Sequence, residues 1–235
     1  MNIGKKILIG ISCLVFAQPL MAFNDADSVS EVSKIIDFNS LKINGNFNVV
    51  LTEGKSCSMK IVAPDKDALA AVMVKSGVTL NITMKEGTKV ASTLYITVKD
   101  LQQLNVNIEG TLSCTNKLDA DAFTLNVDGN AIVNLTFDTK MLNCTLNSGK
   151  PIVLKGKAKS CIFKDSGDGN MDASELKTEN LTLEDDSDGD LKVYAHPEMH
   201  AKVNGGGNFT YYGNPRVKTF KLSGRASEQQ IKENK

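Results

Sequence analysis

Seven segments repeat one apolar–polar alternation at a period of 19 to 20 residues. They open at Leu104, Phe123, Leu142, Cys161, Leu181, Ala201 and Phe220. Most run into a Gly-rich turn, as in Phe123-Thr-Leu-Asn-Val-Asp-Gly129 and Ala201-Lys-Val-Asn-Gly205. A unit this short cannot bury its apolar face alone, so successive units must stack. Parallel strands need crossovers, and stacked coils of this length predict an all-β chain, a right-handed parallel β-helix (β-solenoid) with 19–20-residue rungs. Two inward columns are read on the second strand of each unit. One runs Leu112, Ala131, Pro151, Met171, Leu191, Phe209; the other runs Cys114, Val133, Val153, Ala173, Val193, Tyr211. Pro151 at a strand position lacks a donor and predicts a local ladder defect. Leu176 and Met199 are inward candidates on a third short strand.

The rest of the chain divides around this repeat. Residues 1–22 carry Lys5 and Lys6, an apolar run from Ile7 to Phe16, and Leu20-Met21-Ala22 at a cleavage position, the pattern of a secretory signal peptide. Gly10-Ile-Ser-Cys13 is a less favoured lipoprotein reading of the same leader. Residues 23–37 are polar and expected to be loose. Alternation begins at Phe38, with a hairpin turn at Glu53-Gly54. Between Pro64 and Val72 it breaks. Leu69, Val72 and Met73 fit one helical face behind Asp65, which predicts one short helix. The N-terminal strands and this helix are expected to cap the stack, whose domain spans 38–226. The Glu/Gln/Lys-rich tail 227–235 is expected to fray.

Charge narrows the partners. The chain has 27 basic and 27 acidic residues, and removing 1–22 takes two lysines, leaving 25 against 27, a net charge of −2. Only Arg216 and Arg225 are arginines, and no basic stripe exists to neutralise phosphates, so nucleic acid is excluded as a partner. No second apolar run is long enough to cross a bilayer. Four cysteines remain: Cys57, Cys114, Cys144 and Cys161. Cys144 and Cys161 fall two residues out of register on neighbouring rungs, about 8 Å apart, beyond the roughly 7 Å a disulfide spans. Four buried free thiols acting as small apolar residues are expected.

Asp165-Ser-Gly-Asp-Gly-Asn-Met-Asp-Ala-Ser-Glu-Leu176, Asp186-Ser-Asp-Gly-Asp-Leu191 and the closing Gly205-Gly-Gly-Asn-Phe-Thr-Tyr-Tyr-Gly-Asn-Pro215 resemble the signatures of a known family. The opening Phe38-Asn-Ser-Leu-Lys-Ile-Asn-Gly-Asn-Phe-Asn-Val-Val-Leu51 fits it too. On these residues the chain resembles the auto-transporter adhesin, head GIN domain family of exported Bacteroidetes proteins. That resemblance implies an exported β-helix and no catalytic residues to carry over.

The most suggestive side chains are acidic. Asp165, Asp168 and Asn170 recur one unit later as Asp185, Asp188 and Asp190. Like charges one rung apart, about 4.8 Å, cost on the order of 3 kcal/mol at an effective dielectric of 20. A proton, backbone donors or a cation must relieve that wherever the pair is buried. Calcium suits oxygen-only ligands, which makes Asp165, Asp168, Asp185, Asp188 and Asp190 its candidate ligands. Turn chemistry, in which Asp and Gly serve the backbone, accounts for the pattern without a metal and is preferred. His196-Pro-Glu-Met-His200 is not a zinc motif. Phe209 and Tyr211 fall inward, and only Tyr212 is expected to face out. The sequence therefore reads as an exported, non-enzymatic binding, adhesin-like or structural module. Its place is the periplasm or outer surface of a Gram-negative bacterium, and its partner a glycan or cell-surface protein. The alternative is a polysaccharide lyase or hydrolase using Asp165, Asp185 and Asp186.

Overall fold

The computed structural model describes residues 29–35, 37–63, 71–84, 88, 90–225 and 227–231. Alternating apolar residues put every second side chain on one face of a strand, and the rungs stack those faces into one core. The result is an all-β solenoid of about six turns. Its central rungs are β8 (Gln103–Cys114), β9 (Leu118–Ser148) and β10 (Ile152–Asp165). β9 is 31 residues long and bends round the corners without a break. The later rungs are β11 (Met171–Ala173), β12 (Leu176–Asp185), β13 (Leu191–Tyr194), β14 (Glu198–Val203), β15 (Asn208–Tyr212), β16 (Val217–Leu222) and β17 (Ser227–Ile231). From β8 onward every pairing between rungs is parallel.

The core is a set of register columns. One joins Leu41, Leu104 and Leu125, and the same face continues as Cys144, Phe163, Leu183, Ala201 and Phe220. Another joins Val49, Leu112, Val133, Ile152, Met171, Leu191 and Phe209, all buried. Rung length varies more than the sequence suggested. Leu104 pairs with Leu125 rather than Phe123, a step of 125 − 104 = 21 residues. Leu181 pairs with Met199 rather than Ala201, a step of 199 − 181 = 18. A slip of two residues leaves each side chain on the same face, so the apolar pattern survives it. Met199 thus belongs to this column and not to a third strand. Leu176 does lie on the third face, in line with Phe137 and Gly156. At that corner Gly156 has φ +101°, and a Cβ there would sit 2.0 Å from the Phe137 carbonyl oxygen.

On the second strand one expectation is off by a single residue. Ile152 and Leu154 are buried where Pro151 and Val153 were placed inward. Pro151 is exposed and precedes β10, and its carbonyl accepts the Val133 N–H at 3.0 Å. The proline therefore costs no ladder donor, and the expected defect is absent.

The N-terminal end is built differently. β2 (Ser40–Gly45) lies between β8 and β6 (Thr79–Met84), and β3 (Phe47–Glu53) between β8 and β7 (Ser92–Val98). The later segment thus stacks outside the earlier one. Antiparallel strands extend this end: β4 (Ser58–Ala63) on β7, β1 (Val29–Lys34) on β4, and β5 (Ala71–Ser76) on β6. Among the described residues the short helix expected there is not seen. Val72 and Met73 belong to β5, while Asp65 and Leu69 lie outside the described residues, as does the expected leader 1–22. Val29–Lys34, expected to be loose, and Ser227–Ile231, expected to fray, are paired strands.

All four described cysteines are free thiols. Cys161 pairs with Leu142 and Phe163 with Cys144, so the two sulfur-bearing residues are diagonal neighbours. Burial pushes both thiols far above the usual range. Cys114 is only half-buried, a departure from the expectation, and receives the Thr136 N–H on Sγ at 3.1 Å. Alkylation of the denatured, unreduced mature protein should consume close to four equivalents of reagent, with Cys114 reacting before Cys144 and Cys161 in the native protein. Two or fewer equivalents would show a disulfide.

The register makes a second claim. Leu125 is fully buried, so Leu125→Asp strands an unpaired charge in the core and should cost several kcal/mol. Thr182 points out between Ile162 and His200, so Thr182→Asp should stay within about 0.5 kcal/mol. Similar losses in denaturant melts of the two variants would refute this facing.

Candidate functional site

The five acidic candidates do not form one cluster, because strand alternation divides them. Asp165 and Asp185 occupy neighbouring positions in a column shared with Leu146 and Val203, and are only 5% and 2% exposed. Asp168, Asp188 and Asp190 lie on the outer side of the turns. The inward pair survives because turn donors reach it. The Gly167 N–H donates to Asp165 Oδ1 at 3.1 Å; the Ser187 hydroxyl and N–H donate to Asp185 Oδ1 at 2.7 and 3.3 Å. Even so, burial pushes Asp165 up to about 7, aided by the Asp185 charge and opposed by the Gly167 bond. Burial also raises Asp185, against the Ser187 bonds.

The outer acids join polar ladders between rungs. Asp190 Oδ1 accepts from the Asn208 N–H at 2.9 Å and from its amide at 3.0 Å, while the Asp190 N–H donates to Asn170. Asp186 accepts from the Asn204 amide at 2.6 Å. Asp188 is exposed and sits over Gly206, where a Cβ would lie 2.6 Å from its Oδ1. Asp168 is exposed in the preceding turn. Among the described residues no three His, Cys, Asp or Glu side chains converge as a metal-holding group. His200 bonds Glu198 at 2.7 Å, and His196 Nδ1 lies 2.8 Å from the Asn214 carbonyl oxygen. Phe209 and Tyr211 are buried and Tyr212 is half-buried, so the first two offer no free sugar-stacking face.

Two grooves are formed on the outer surface by the described residues. The first, about 620 Å³, crosses the first-strand face. Its floor is the backbone of Ile43, Ile82, Val106 and Val127, whose side chains point into the core. Its walls are two outward columns: Asn81, Lys42, Asn105 and Asn126, and beside them Thr83, Asn44, Asn107 and Asp128, with Asn147 beyond. The amides bond along the solenoid axis. Asn126 donates to Asn105 at 2.7 Å and Asn147 to Asp128 at 3.0 Å, while Asn105 Nδ2 is buried with no partner. Among the described residues, Lys42 and Asp128 are its only charged walls.

The second groove, about 540 Å³, lies on the third face. Small residues form its floor: Ala120, Thr139, Ala158 and Thr178. Charged residues flank each of them. The strands bend here: the ladder steps from Ala158–Thr178 to Ser160–Asn180 and skips Lys159 and Glu179. Sequence reasoning passed over both grooves, because it followed the inward columns. The signal was in the outward ones: Asn105, Asn107, Asn126 and Asn147 on one face, Lys157 and Lys159 on the other.

The family model described as "Putative auto-transporter adhesin, head GIN domain" matches residues 37–215. The chain belongs to this family. No curated protein matches it. The head GIN chain is similar in structure to a putative adhesin from Bacteroides fragilis, at 20% identity and a TM-score of 0.80 over 88% of this chain and 98% of that one. It is similar to a putative lipid binding protein from Parabacteroides distasonis, at 19% identity and a TM-score of 0.63 over 88% and 98%. A putative adhesin from Parabacteroides merdae follows at 18% and 0.61 over 88% and 97%. At these identities the likeness shows the shared solenoid.

The Asp165 carboxyl gives a pH test. Folded, it keeps its proton up to about pH 7, while the unfolded chain releases it near 3.8. The folded state therefore binds more protons across that window, and stability falls as pH rises from about 4 to about 7, then levels off. Asp165→Asn should flatten that slope and stabilise the protein at pH 8 by on the order of 1–3 kcal/mol. A slope unchanged in the variant would place its cause elsewhere.

Proposed function

We propose that this head GIN protein is an exported, non-enzymatic binding module that takes a glycan along its axis in the amide-lined groove. The observation that carries this is the pair of outward Asn-rich columns, held in register over five rungs. Each carboxamide offers two donors and an acceptor, and the axial bonds between Asn126 and Asn105 use only part of that capacity. The repeat of about 4.8 Å between rungs sets those groups out at regular intervals, which suits a ligand that itself repeats. A nearly uncharged wall favours hydroxyl-rich chains over polyanions.

The leader at 1–22 supports export. The adhesin name of the family and of two structural relatives agrees with a surface binding role. The burial of Asp165 and Asp185 weighs against the alternative lyase or hydrolase, since carboxylates facing the core do not reach a polysaccharide. The remaining member of that set, Asp186, is engaged with Asn204.

A glycan array probed with residues 23–235 should retain linear neutral oligosaccharides. Asn126→Ala with Asn147→Ala should weaken that binding about tenfold or more, as loss of two or three hydrogen bonds implies, with little change in melting temperature. Retention of no glycan would remove the proposal, and release of sugar fragments from a polysaccharide would restore the enzyme reading.

A further inference from the structure

The groove on the third face has an electrostatic pattern that the binding reading above does not use. Each rung contributes a small floor residue with one outward side chain on either side. Asp119 and Asp121 flank Ala120; Asp138 and Lys140 flank Thr139; Lys157 and Lys159 flank Ala158; Lys177 and Glu179 flank Thr178. Only the Ala158 rung is doubly positive. The rungs on either side of it cancel, and the Ala120 rung is doubly negative.

The ion pairs sharpen this. Asp138 is shared by Lys117 and Lys157, the latter at 3.2 Å. Lys140 is held by Asp121 at 2.8 Å. Lys159 forms no ion pair among the described residues and projects from the point where the ladder skips a residue. Below it, Ala158 leaves the floor open between Thr139 and Thr178, its register neighbours. The Thr178 hydroxyl donates to the Leu176 carbonyl at 3.1 Å. The Thr139 hydroxyl has no partner, although the residue is only 7% exposed. A buried hydroxyl without a partner costs free energy, and here it lies beneath the floor with no surface open to the groove. At the far end stand His196 and Tyr194, with the Lys177 ammonium 3.8 Å from the tyrosine ring centroid.

We propose that the cleft over Ala158 binds a single carboxylate carried on a sugar, the acidic residue of an otherwise neutral glycan. Lys157 and Lys159 supply its cationic contacts. One anion fits the one doubly positive rung. A polyanion would run into Asp119 and Asp121 at one end and Glu179 at the other. The groove crosses four charged rungs, about 14 Å at the rung spacing, which accommodates a short oligosaccharide rather than a lone ion.

The test is calorimetric titration of residues 23–235 with a xylo-oligosaccharide bearing one glucuronate branch, with the same oligosaccharide unbranched, and with polygalacturonate. The branched form should bind about tenfold tighter than the unbranched, in keeping with one charge-assisted contact. Lys159→Met should erase the difference, with an unchanged melting temperature. Equal affinity for branched and unbranched forms would overturn the proposal. So would tightest binding to polygalacturonate, which marks a polyanion surface, or displacement of the branched form by millimolar sulfate, which marks a free-anion site. The titration is made on the Asn126→Ala, Asn147→Ala variant, so that it reads this groove alone and its failure is distinguishable from failure of the amide-groove reading, since no residue is shared between the grooves.

Discussion

The parallel register between rungs governs everything else in this molecule. A parallel ladder sets each residue about 4.8 Å from its counterpart on the rungs before and after it. Whatever stands at one position is thus judged by what stands at the same position one rung away. Inward, that rule rewards like apolar side chains, as in the Val49–Leu112–Val133–Ile152 column. Outward, it rewards side chains able to bond their own kind, and Asn does so because one amide is both donor and acceptor, as Asn126 and Asn105 show.

The same rule explains why the Asp165–Asp185 pair is unusual without being disruptive. The column positions on either side of it hold Leu146 and Val203. A charge placed at random there would be stranded. These two sit at the strand ends, where the chain turns and its N–H groups become free to point at them, from Gly167 and Ser187. The turn repairs part of the desolvation, and the part left over raises the proton affinity of both carboxyls. The pair is buried where the chain turns and is bonded by that turn's own donors.

Much of the fold was legible in the sequence because stacking needs only the period and the face. Phe123, Leu142, Cys161 and Leu181 advance in steps matching the true rungs, and the diagonal offset of Cys144 and Cys161 followed from them. Two kinds of error mark the limits. A slip of two, as at Leu104 and Ala201, is invisible to a period-two pattern. A slip of one, as at Pro151, is visible only if the intruding residue is polar, and proline is apolar. The order of the N-terminal rungs was not legible at all, since nothing in β6 or β7 says that they stack outside β2 and β3 rather than inside. The acidic candidates were legible as residues, but their division between core and surface was not, because alternation sends neighbours to opposite sides of the strand.

The two grooves arise differently in this architecture. The amide groove runs over an unbroken ladder, between outward columns that wall it, while the charged groove lies where the ladder is interrupted. At Lys159 and Glu179 the missing ladder partners let the strands bend inward, so that outward side chains become walls and the small residues between them a floor. Alanine and threonine are the residues that permit this, since a larger inward side chain would need core volume that the bend removes. The cost is visible in the Thr139 hydroxyl, buried at the bend with nothing to bond. A packed solenoid optimised only for stability would carry valine there, of the same shape and without the unpaired oxygen.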